Sequence, residues 1–334
     1  MHLGLALPQY DYSVPGERPL EFDTIVAHAQ LAADSGFESV WLSDHLFLDI
    51  EKYGGPPDRE ACFDPVVTLA ALARRVPDVR LGTLVFCEAL RPASVLAKAL
   101  ATIDRVSGGR LDVGLGAGWY EPEYESIAME MPTPGVRLAR LTEAVEVVKG
   151  MLAGEPFTYE GVHHRARAAT NLPAALQQPR PRVFVGGKGD RLLRLVARHA
   201  DGWNTCWVWT VDAYRERLRV LERECDAIER DPSTVWRTLG LYALCGENER
   251  DLARRFELMC ESSPRGVLDG MDLAQFRAGR LVGTVEQVRE QVAAWEDVGI
   301  DTLVLGVGAV PFQVTGPDDV AMFGSVVAPG ARAG

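Results

Sequence analysis

Three short stretches of this chain place reactive side chains beside glycines at the ends of apolar runs. Asp44-His45 closes ESVWLS, GLGAGWY (residues 114–120) closes RLDV, and GGKGD (residues 186–190) closes RVFV. Histidine moves protons near neutral pH, so His45 is a candidate acid/base, with Asp44 beside it; the alternative is a satisfied structural histidine. In GGKGD the glycines free the backbone to turn several N–H groups toward one point, and a helical pattern follows at once. A helix start adds partial positive charge and Lys188 a full one, so phosphate is the natural ligand of Gly187, Lys188 and Gly189; a plain tight turn is the alternative. The GLGAG stretch lacks that signature. Its glycines Gly116 and Gly118 would let a flat ring approach the backbone, with Trp119 and Tyr120 as walls or as core residues. His163, His164 and His199 fall on a hairpin and a helix and are assigned to structure or solvent.

These residues need a frame that brings strand ends together. Short apolar runs alternate with amphipathic stretches along the whole chain. The expected strands are Leu3–Pro8, Glu38–Ser43, Val79–Phe86, Arg110–Leu115, Val183–Gly186, Gly202–Thr205, Thr238–Cys245 and Thr302–Val307. Helices are expected near Phe22–Ala32, Pro65–Arg75, Ala93–Val106, Leu138–Leu152, Arg191–Arg198, Val211–Ile228, from Thr284 to Val298, and near Asp318–Val327. Asp64 before Pro65 suits an N-cap with proline at the first helical position, and Thr284 with Gln287 forms a capping box. The alternation breaks twice, at about 119–181, where a hairpin is expected over Pro156–His164 around Glu160-Gly161, and at about 262–281. Eight strands alternating with helices, their cores apolar throughout, predict an α/β fold: a (β/α)₈ TIM barrel with insertions after strand four and before strand eight, one domain over residues 1–334. No GxGxxG follows the first strand, so a dinucleotide fold lacks support. In such a barrel, function collects at the C-terminal strand ends, where all three stretches lie.

Composition sets outer bounds. Apolar residues make up 47% of the 334 and charged residues 25%, near the globular average. The net charge of −12 disfavours nucleic acid and anionic membranes as partners. The N-terminus reads as a strand rather than a signal peptide, and no run is long enough to span a membrane, so a cytoplasmic protein is expected. The six cysteines show neither CxxC nor zinc-ligand spacing; buried, reduced thiols and no metal are expected.

Taken in order, LALPQY, GFESVWLSDHLF, VRLGTLVFC, IDRVSGGRLDVGLGAGWYEPEY, PRVFVGGKGD, HADGWN and LVGTVEQVREQV resemble the luciferase-like flavin and deazaflavin oxidoreductases, within them the F420-dependent class. The resemblance spans nearly the whole chain and implies coenzyme F420 as cofactor, with FMN as the alternative. It casts His45 as the histidine beside the ring and Asp44 as a positioning group. Thr83, Leu84 and Val85 become a bulge behind the ring, with a non-proline cis peptide at or next to Leu84–Val85. Gly116, Gly118 and Trp119 would line the cofactor channel, Gly187, Lys188 and Gly189 would hold its phosphate, and Trp203, Asn204 and Thr205 would lie near ring or substrate. Two departures stand out: Leu90-Arg91-Pro92 is one residue shorter than the aromatic-Arg-Asn-Pro of relatives, and Lys188 stands where glycine or a polar residue is usual. Three functions follow: F420-dependent hydride transfer to or from a small organic substrate, an FMN-dependent monooxygenase served by a separate reductase, or a non-catalytic flavin-binding protein. A homodimer is implied by relatives.

Overall fold

The computed structural model describes residues 1–327; residues 328–334, which the expected barrel span includes, lie outside the described residues. Eight parallel strands close into a ring: β1 (His2–Ala6), β2 (Ser39–Leu42), β3 (Arg80–Thr83), β4 (Leu111–Gly116), β5 (Arg182–Gly186), β6 (Gly202–Trp207), β7 (Trp236–Gly246) and β8 (Thr302–Gly306). Each pairs with the next, and β8 returns to β1 with Leu3 opposite Leu303. Residues of β2, β4 and β8 are buried on both faces, which is why their runs are apolar without alternation.

Around the ring lie α1 (Phe22–Asp34), α2 (Pro65–Arg75), α3 (Ala93–Ser107), α4 (Pro134–Leu152), α5 (Asp190–His199), α6 (Val211–Asp226), α7 (Glu249–Ser262), α8 (Val285–Val298) and α9 (Pro317–Val327). Local chemistry sets their ends. Asp64 accepts a hydrogen bond from the Val67 N–H at the start of α2, both bonds of the Thr284/Gln287 box form at α8, and Gly108 takes the left-handed conformation that ends α3.

The lumen is filled by aromatics, and glycines make room for them. Trp41 is fully buried and packs against Phe184 and Trp236, with ring centroids 5.8 and 6.4 Å away. A Cβ on Gly4 would stand 2.4 Å from the Trp41 indole nitrogen, and one on Gly82 2.2 Å from its six-membered ring. Large and small residues therefore alternate on neighbouring strands.

Four expectations change. The third strand stops at Thr83; a cis Leu84–Val85 peptide follows, and Phe86–Cys87 then pairs separately with Leu115 and Gly116. The hairpin is Phe157–Glu160 with Arg165–Ala169, shifted beyond the expected Pro156–His164, because three backbone N–H groups at residues 162–164 bind the Glu143 carboxylate and hold the loop open. Helix α7 was not anticipated: only Leu252, Phe256 and Met259 of its face are buried, too sparse among charges to stand out. β7 runs past its expected end, and its outer half pairs with an additional strand, Leu281–Thr284.

Candidate active site

The C-terminal strand ends surround a cleft of about 480 Å³. Its first corner is built from β1 and β2. Gln9, fully buried, donates from Nε2 to the carbonyls of Ser43 and Phe63 and accepts at Oε1 from the Ser43 N–H and Oγ–H, all within 3.0 Å. Tyr10 joins Ser43 through its hydroxyl at 2.5 Å. This network fixes the chain as it leaves β2, just before Asp44 and His45.

Asp44 accepts from the Cys87 N–H at 2.9 Å and from Arg91 Nη1 at both oxygens, at 2.8 and 2.7 Å. Burial pushes its carboxyl above the ordinary aspartate value, against the opposing pull of the Arg91 guanidinium. Arg91 also grips Asp64, the cap of α2. The shortened Leu90-Arg91-Pro92 segment thus ties β2, α2 and the loop after β3 together.

His45 reaches further. Its Nδ1 lies 2.9 Å from Glu123 Oε2, its carbonyl accepts from the Cys62 thiol, and its ring stands edge-on to Trp119 and Tyr120, at 5.8 and 6.1 Å. Glu123 is buried in the short helix Glu121–Ser126, and its other oxygen receives the Leu46 N–H. With Nδ1–H directed at a carboxylate, Nε2 has no hydrogen-bond partner among the described residues, and the ring lines the cleft. The assignment of Nδ1 as donor follows from its acceptor.

The floor is Leu84 and Val85. The Val85 side chain seats against three glycines: a Cβ on Gly114 or Gly116 would come within 2.6 Å of its methyl groups, and one on Gly186 within 3.1 Å. Gly116, expected to admit a flat ring to the backbone, thus admits Val85, as Gly114 does, and Val85 presents an apolar surface to the cleft. Thr83 does not line it. Fully buried, it ties β3 to β4 by exchanging hydrogen bonds with the Gly114 backbone. Gly118 needs its positive φ of 72° and its missing side chain, since a Cβ would meet the Tyr124 hydroxyl at 2.3 Å.

At the far end lies the loop from β5 to α5. Gly187, at φ 143°, spends its N–H on the Asn204 carbonyl, while its own carbonyl accepts from Trp203 Nε1 at 2.7 Å. The next N–H groups, those of Lys188, Gly189, Asp190 and Arg191, have no acceptor among the described residues. These groups open at a helix N-terminus, the geometry that suits an anion. Lys188 lines the cleft and is exposed; Gly189 caps α5 outside the cleft lining. Asn204 is held by Thr238 Oγ1 at 2.7 Å and lines the cleft with Thr205. Trp203, expected near ring or substrate, does not line the cleft: it is buried and stacks on Tyr214 of α6 at 4.9 Å.

Thr83, Gly189, Trp203 and Tyr120 stand outside the lining, and the other residues expected in the site line this one cleft. Sequence reasoning missed Glu123, Arg91, Lys52, Tyr53, Trp207 and Phe312. Glu123 sat inside the motif GWYEPEY, but nothing in its spacing couples it to a histidine 78 positions earlier. Among the described residues no group of His, Cys, Asp and Glu is placed to hold a metal ion, and no helix is long and apolar enough to cross a membrane. All six cysteines are free thiols.

The mouth of this TIM barrel thus brings together a carboxylate-held histidine, an apolar floor and a cluster of open backbone N–H groups at a helix start. The chain belongs to the luciferase-like monooxygenase family, whose profile matches residues 1–302. It is 30% identical over 306 residues to the F420-dependent hydroxymycolic acid dehydrogenase of Mycobacterium tuberculosis, covering 89% of this chain and 80% of that one. It is 26% identical over 330 residues to the FMNH2-dependent dimethylsulfone monooxygenase of Pseudomonas putida, covering 91% and 86%. The crystal structure of a monooxygenase from Streptomyces bottropensis superposes with a TM-score of 0.75 at 26% identity over 99% of both chains.

Proposed function

We propose that this chain binds coenzyme F420 and passes hydride between the deazaflavin and a small organic substrate. F420, when bound, supplies a ring carbon that exchanges hydride and does not readily activate oxygen. The observation that carries the reading is the run of N–H groups from Lys188 to Arg191, without acceptors among the described residues, opening from the cleft whose floor is Val85 and whose acid/base candidate is His45. The cradle fits a phosphate, and the Val85 surface fits the back of a flat ring. His45 Nε2 takes or gives a proton at the substrate, and Glu123 holds the ring to that task. Asp44 positions the His45 segment through Arg91 and Cys87. Such an oriented, partner-free nitrogen favours catalysis over mere flavin binding.

FMN with a separate reductase is the second reading, favoured by the Pseudomonas putida relative that matches 91% of this chain. Free thiols support a cytosolic setting, and a homodimer is the state the resemblance implies. Titration of purified protein with F420 and with FMN, followed by cofactor fluorescence, tests the choice. F420 should bind with a dissociation constant of about 1 μM or tighter, roughly −8 kcal/mol; FMN binding about tenfold more tightly would reverse the assignment.

A further inference from the structure

The floor at Val85 leans on glycines of β4 and β5. Strand eight lies four places from strand four in the ring, so the loop after it faces that floor across the mouth. The side chains on that side are of another kind. Pro311 and Phe312 follow β8, Trp207 ends β6, and Leu48, Lys52 and Tyr53 come from the loop after β2; all line the cleft.

Three of these are aromatic, and two of them, Trp207 and Phe312, are firmly held. Trp207 stacks on Tyr242 at 5.3 Å and meets Phe312 edge-on at 5.5 Å. Gly240 and Gly306 leave space beneath its ring, since a Cβ on either would stand 3.5 or 3.1 Å from it. Phe312 takes a φ of 59°, rare for a bulky residue, in a loop fixed by the buried Gln313, which accepts the Ala309 N–H, and by Tyr12, which donates to the Pro311 carbonyl. Tyr53 is partly buried and lines the cleft, and among the described residues its hydroxyl has no hydrogen-bond partner.

The polar groups here are few and uncommitted. Lys52 and Lys188 are the cations of the cleft lining, while its carboxylates, Asp44 and Glu123, are engaged by Arg91 and His45. Lys52 Nζ rests 3.9 Å from the Trp119 ring centroid and, among the described residues, forms no ion pair or hydrogen bond. In a chain of net charge −12, an unpaired ammonium on an aromatic rim is an available anion site.

We propose that this side of the cleft takes a flat aromatic molecule bearing one carboxylate-type anion, the ring lodged among Tyr53, Trp207 and Phe312 and the anion held by Lys52. The Tyr53 hydroxyl is a donor for the same ligand. This names the substrate class for the redox site and rests on that reading. The anionic tail of the cofactor is the competing occupant of Lys52, and the experiment separates the two.

The probes are 2-naphthoate and its uncharged analogue 2-naphthamide, titrated by calorimetry into the full chain with and without F420. Naphthoate should bind about fivefold more tightly than the amide, an advantage that disappears in about 0.5 M salt. Lys52→Met should erase it while leaving the amide and F420 within about twofold; Trp207→Ala should weaken both naphthalenes alike. Equal affinity for acid and amide, or no binding of either at about 1 mM, would overturn the proposal. So would a loss of F420 affinity in Lys52→Met as large as the loss of naphthoate affinity. If F420 itself fails to bind while naphthoate keeps its dependence on Lys52, the cofactor reading fails and the aromatic-acid compartment stands.

Discussion

The single imidazole nitrogen left open at His45 sets the first expectation. His45→Ala should lower turnover about 10²-fold with cofactor affinity little changed, because the ring moves a proton rather than holding the cofactor. Glu123→Gln tests whether orientation matters. It keeps the shape but removes the charge that fixes Nδ1–H, so kcat should fall about tenfold while KM and cofactor affinity stay within about twofold. A proportional rise in KM instead would make Glu123 a wall of the substrate pocket. The cradle gives a paired test. Lys188 is exposed, so Lys188→Ala should weaken F420 by about 1 kcal/mol, mainly at low salt. Gly187 holds a φ of 143° and a Cβ would meet Leu192 at 2.6 Å, so Gly187→Val should weaken it more, at low and high salt alike. Near-wild-type affinity in both variants would place the phosphate elsewhere.

Elements fail in ways their packing foretells. Gly82→Ala forces a methyl into the Trp41 ring and should destabilise the barrel by about 1–3 kcal/mol, read as a lower urea midpoint. What was legible in the sequence divides along the same line. Strands and capped helices were visible because their signals are local: apolar runs, Asp64 before Pro65, Thr284 before Gln287. The candidate site was visible wherever a motif ended a strand, as at His45 and Gly187-Lys188. The break after Thr83 needed the resemblance, since VRLGTLVFC shows a continuous apolar run. Helix α7, the Glu123 partnership and the packing of Trp203 on Tyr214 were hidden because each depends on contacts between distant segments, which periodicity does not encode.

At the scale of the molecule, the late helices are joined to one another by charge. Asp251 in α7 pairs with Arg254 and Arg255, and Arg255 reaches on to Asp319 in α9. Burial opposes ionisation of Asp251, but Arg255, Arg254 and the Glu247 N–H together bring it down to about 2. A carboxyl with a lowered native value stabilises the fold above its unfolded value near 4, and that contribution is lost as the pH falls toward 2. Acid unfolding of Asp251→Asn should therefore vary less with pH across that window than the wild type, as followed by circular dichroism. An unchanged slope would show that the pair contributes nothing to folding.

Trp41 and the two glycines that flank it also have a consequence for descent. A lineage that replaced the indole by a smaller ring would open a void, and one that added a methyl at position 4 or 82 would close on the indole. Each single step is disfavoured, whereas the paired change is tolerated. The three positions should therefore pass through evolution as one inherited unit, with bulk at 41 anticorrelated with bulk at 4 and 82 among homologues. Reconstructing Trp41→Leu together with Gly82→Ala in this chain should recover part of the stability that either change alone removes.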